Sequence, residues 1–62
     1  MNEKIKALAS AIEEKEEKFM DAKKLQLSDL ARMYLHELDG LKEAFRIITD
    51  ESYMTYWLRI NA

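Results

Sequence analysis

Residues 27–48 read LSDLARMYLHELDGLKEAFRII, and the fold turns on whether this stretch makes one helix or two. Leu27, Leu30, Tyr34, Leu38, Leu41, Phe45 and Ile48 recur at intervals of three and four, the period of one helix face. The competing reading is that Asp39-Gly40 forms a C-cap and turn that ends a shorter helix. Because the apolar stripe passes through Gly40 without changing phase, the spacing predicts a single helix over about 28–48. Ser28 stands as its N-cap and Asp29 as the acid of its first turn. A mid-helix glycine costs roughly 1 kcal/mol relative to alanine, so the space that Gly40 leaves has a use.

Upstream, Ile5, Leu8, Ile12, Phe19 and Ala22 line up on one face of a helix over about 3–24. The stripe lapses where Lys15 or Glu16 takes the apolar position. A lysine there lays its methylenes over apolar neighbours and keeps its ammonium in water. The run EEKEEK mixes signs at helical spacing, as a solvated face does. KKLQLSD then supplies two lysines for the negative end of this helix and a connection into the next. Two helices of similar length joined this closely fold back antiparallel, with their stripes facing each other.

Downstream, the apolar period lapses at ITDES, and Thr49 or Asp50 offers a cap for a third helix over about 50–60. The alternative is a kinked continuation of the second helix. The closing stretch SYMTYWLRINA holds Tyr53, Tyr56 and Trp57, half of the chain's aromatic residues. Helices this short are marginal alone in water, so this one must dock. The architecture expected is all-α: a hairpin of two long helices plus a short C-terminal helix, in one domain over 1–62.

Composition agrees. Pro is absent, Gly occurs once, and the chain has 62 residues, so its core is thin. The absence of cysteine excludes disulfide staples and thiolate sites. Ten basic and 12 acidic residues give a formal charge of -2, no footprint for a phosphate backbone. No apolar run approaches the roughly 20 residues of a membrane span, and acids appear too early for a secretory signal. The expectation is a cytoplasmic protein that binds neither nucleic acid nor membrane.

Catalytic chemistry is sparsely written. His36 and Glu37 stand together, but HELDG lacks the second histidine of a zinc-binding HExxH helix. Met33 stands where a Glu-x-x-His bimetal motif needs its glutamate. No catalytic residue, metal site or cofactor is expected from the residues themselves. LHELDGL on the second helix of a short hairpin is, however, similar to the small aspartyl-phosphate phosphatases of sporulating bacteria, whose second helix bears Ser-Gln-Glu-Leu-Asp. Glu37, Leu38 and Asp39 match that motif, while Leu35 and His36 replace the serine and glutamine. The resemblance implies that Glu37 and Asp39 help position water at the phosphoaspartate of a response regulator.

The main expectation rests on surplus apolar surface. After two stripes cover each other, the Met33, Gly40, Ala44 and Ile47 face of the second helix and the aromatic tail with Tyr53, Tyr56 and Trp57 remain. Contiguous apolar patches on small proteins mark interaction sites. The sequence therefore reads as a non-enzymatic helical module, a regulator, an inhibitor or a self-associating unit, whose partner is another protein or a second copy.

Overall fold

The stripe of residues 27–48 becomes one unbroken helix. A computed structural model describes residues 3–62, so the first two residues of the single domain expected lie outside the described residues. Three helices follow one another: α1 (Glu3–Lys24), α2 (Ser28–Thr49) and α3 (Tyr53–Ile60). Helices α1 and α2 pack along each other as a hairpin, and α3 folds back across its open end. None of the described helices is long and apolar enough to cross a membrane.

The hairpin turn is tighter than its sequence suggests. The Leu27 N–H donates to the Ala22 carbonyl at 2.9 Å and the Gln26 N–H to that of Lys23 at 3.0 Å. This is the double closure of a Schellman motif, with Gln26 left-handed at φ 59°, where glycine is usual. The helix then restarts at once. Ser28 is consequently its first residue and not its cap; Leu27 precedes it and offers no side-chain cap. Asp29 does lie in the first turn, as expected.

The second bend corrects the sequence reading more substantially. Thr49 and Asp50 close α2 and do not open α3. Asp50 is left-handed at φ 60° and its N–H returns to the Arg46 carbonyl at 2.8 Å. The Thr49 hydroxyl donates to the Phe45 carbonyl at 2.8 Å and accepts from the Glu51 N–H at 3.2 Å. Ser52 is the working cap: its Oγ accepts the Thr55 N–H at 3.1 Å. Helix α3 thus starts three residues later than expected, and Glu51, outside it, meets Arg59 at 2.7 Å.

This bend sets the core. Ile12 of α1, Leu38 and Phe45 of α2, and Tyr53 and Tyr56 of α3 are buried together with Ala9. Phe45, fully buried, stands edge-on to both tyrosines, at centroid distances of 5.6 and 5.1 Å. Such aromatic pairs are worth about 0.5–1.5 kcal/mol beyond their area. The ends of the α2 stripe behave differently. Leu27, Leu30 and Ile48 are exposed, because Leu27 sits in the turn and the other two lie about 80° around the helix from Leu38 at 100° per residue.

The lapse in the α1 stripe is filled by charge. Lys15 Nζ reaches Glu37 at 2.9 Å and lies 5.4 Å from the centre of the Tyr34 ring. On the other side of the seam, Glu16 meets Lys42 at 3.3 Å. Half-exposed pairs of this kind contribute little, about 0–1 kcal/mol each.

Candidate interaction surfaces

The seven residues expected to form an interaction surface divide into three groups. Met33, Gly40, Ala44 and Ile47 lie along the outer side of α2, with Met33 and Ile47 exposed and Ala44 half-buried. Among the described residues no other helix crosses at Gly40: a Cβ added there would meet nothing within 4 Å. Gly40→Ala should therefore stabilise the monomer by about 0.5–1 kcal/mol through helix propensity alone, read as a higher denaturant midpoint. A fall in midpoint would show that the space is already in use.

Tyr53 and Tyr56 do not belong to the outer surface. The left-handed Asp50 turns α3 back over Phe45, so both rings complete the chain's own core, with only 6% and 5% of their surface left. Trp57, one residue further round α3, keeps 40% exposure. It stands with Met54 on a half-open groove of about 510 Å³, whose other walls come from Tyr53, Lys42, Arg46 and Glu16. Their i,i+3 spacing on one helix brings Met54 and Trp57 to adjoining positions there.

The groove has an apolar floor and an internally neutralised rim. Glu16 is met by Lys42, and Arg46 Nη2 donates to Glu43 Oε1 at 2.6 Å. That hydrogen bond and the guanidinium charge hold the Glu43 carboxyl below its ordinary value and raise Arg46 correspondingly. Such a site suits an apolar side chain bordered by polar groups better than it suits a free ion.

The hydroxyl of Tyr53, which lines this groove, is buried without a hydrogen-bond partner among the described residues. Burial first, then the nearby Glu13, Glu16 and Tyr56, pushes its pKa up to about 12. The folded state keeps the proton that an unfolded tyrosine gives up near pH 10. Its share of stability is accordingly complete below pH 10 and is lost as pH rises towards 12. Tyr53→Phe should remove that alkaline leg and, by deleting an unsatisfied hydroxyl, stabilise the fold by about 1 kcal/mol at neutral pH. Urea midpoints of both proteins at pH 7, 9 and 11.5 test this. Parallel declines above pH 10 would assign the alkaline loss to other groups.

The acidic motif residues do not converge. Glu37 faces Lys15, whereas Asp39, two residues on, points about 200° away around the same helix, and both are exposed, as is His36. Among the described residues no three His, Cys, Asp or Glu side chains gather into a set that could hold a metal ion. Comparison with protein-family models, with curated proteins and with solved structures finds no match for this chain.

Proposed function

We propose that this chain is a protein-binding module that works through the apolar side chains its monomer leaves in water. One observation carries the reading. Among the described residues five large apolar or aromatic side chains are buried, Ile12, Leu38, Phe45, Tyr53 and Tyr56, against twelve large hydrophobic ones that are exposed. A hairpin of this size cannot hide them itself. They are also concentrated: Met33 and Ile47 flank the open space at Gly40, and Met54 and Trp57 border the groove. Methionine and tryptophan are enriched in interface cores, where they supply large contact areas.

A photo-crosslinking amino acid placed at position 33 or 57 in the living cell tests the proposal. Both sites should give discrete protein adducts, and position 14 or 17 on the charged face of α1 should give none. Identical diffuse labelling from all four positions would refute it.

A further inference from the structure

Helix α3 covers only one side of the hairpin. The groove places it beside Glu16 and Lys42, whose ion pair marks one side of the α1–α2 seam. The Lys15–Glu37 pair marks the other side, where Glu37 and Ile48 are exposed among the described residues. Two heptad-spaced rows run along that open side. Helix α1 contributes Leu8, Ala11, Lys15 and Lys18; helix α2 contributes Tyr34, Glu37, Leu41 and Ala44, continued by the exposed Ile48. Leu8 and Leu41 touch the core from one side and are only half-buried.

We infer that this side is where a second copy of the chain docks, making a four-helix bundle from two hairpins. The inference rests on the same excess of apolar surface as the binding reading, but it concerns an adjoining surface that shares Ala44 with the outer face of α2, and a named partner.

Two observations select a second copy. The first is size. Counting outward from the Lys15–Glu37 contact in an antiparallel pair, Leu8 stands level with Ala44 and Ala11 with Leu41. A two-fold axis parallel to the helices sets α1 of one copy over α2 of the other at the same levels. Every apolar level then meets large against small, which is the interdigitation that helix layers need.

The second observation is charge. The α1 row is basic at Lys15 and Lys18, and the α2 row is acidic at Glu37. The same axis brings Lys15 of each copy to Glu37 of the other and Lys18 to the Tyr34 ring, opposite charge and cation–π partner in place of like charges. Isologous contacts of this kind are the commonest way small chains complete a core.

Sedimentation equilibrium of the full chain tests the inference. Wild-type protein should run at twice its 7.4 kDa mass at micromolar concentrations. Ile48→Lys changes a residue 64% exposed in the monomer and level with Lys4 of the other copy, so helicity should survive while like charge weakens dimerisation about tenfold or more. Lys15→Glu and Glu37→Lys should each weaken it too, and an equimolar mixture of the two should restore a dimer containing one chain of each. That rescue separates a contact between chains from one within a chain. Trp57 emission should stay constant through dimerisation, because the tryptophan lies on the covered side. A wild-type monomer at all concentrations, a dimer indifferent to Ile48→Lys, or a mixture that stays monomeric would each overturn the inference. None of these results bears on adducts formed from position 57.

Discussion

Phe45→Ala is expected to unfold this protein. Phe45 is the residue at which all three helices meet: it is fully buried, it packs with Ile12 of α1, and both tyrosines of α3 dock on its ring. Truncation of a buried phenylalanine costs about 3–5 kcal/mol. A domain of this length has roughly 3–9 kcal/mol in total at typical values per residue. Loss of the aromatic pairs also removes what orders α3, an eight-residue helix too short to persist alone. Far-ultraviolet circular dichroism at 25 °C should show most of the helical signal gone, with Phe45→Leu retaining it. A Phe45→Ala protein melting like wild type would mean that the core lies elsewhere.

Leu38→Ala is the second large effect, about 2–5 kcal/mol. Leu38 retains 3% of its surface and seals the hairpin midway along α2. Its neighbour in sequence, Leu35, is exposed, so Leu35→Ala should stay within about 0.5 kcal/mol of wild type. The contrast between two leucines three residues apart tests the helical phase itself. Equal urea midpoints for the two variants would show that α2 is rotated from the orientation described.

The long helices were legible in the sequence because their signal is redundant. Seven apolar positions set the phase of α2, and no single residue, Gly40 included, had the leverage to break it. The bends were less legible, since each depends on one residue in a conformation its type does not announce. Gln26 and Asp50 both adopt the left-handed region, at φ 59° and 60°. A glycine would have declared either turn. At residues 49–52, Thr49, Asp50 and Ser52 are all good caps by type, and only the backbone path decides which of them acts.

That uncertainty passed directly to the candidate surface. The three tail aromatics share most of one helix side, so the sequence favoured treating Tyr53, Tyr56 and Trp57 alike. Once α3 folds back, about 40° to 100° of rotation separates core from surface, and Trp57 falls on the far side of that line. The outer face of α2 was readable because it is the complement of the stripe. The pairing of Lys15 with Glu37 and of Glu16 with Lys42 was not, because register across a hairpin depends on the turn.

Tyr53 and Tyr56 complete the chain's own core, and the proposed function requires that the exposed Met33, Met54 and Trp57 meet a protein partner. Hydroxyl-radical footprinting read by mass spectrometry tests it most directly, on dilute pure protein and again inside the cell. In the pure protein Met33, Met54 and Trp57 should oxidise readily, and Phe45, Tyr53 and Tyr56 should be protected. In the cell, protection should spread to Met33, Met54 and Trp57 while Met20, outside both surfaces, remains reactive. Equal oxidation of Met33, Met54 and Trp57 in the two settings, or ready oxidation of Tyr53 and Tyr56 in the pure protein, would contradict the account.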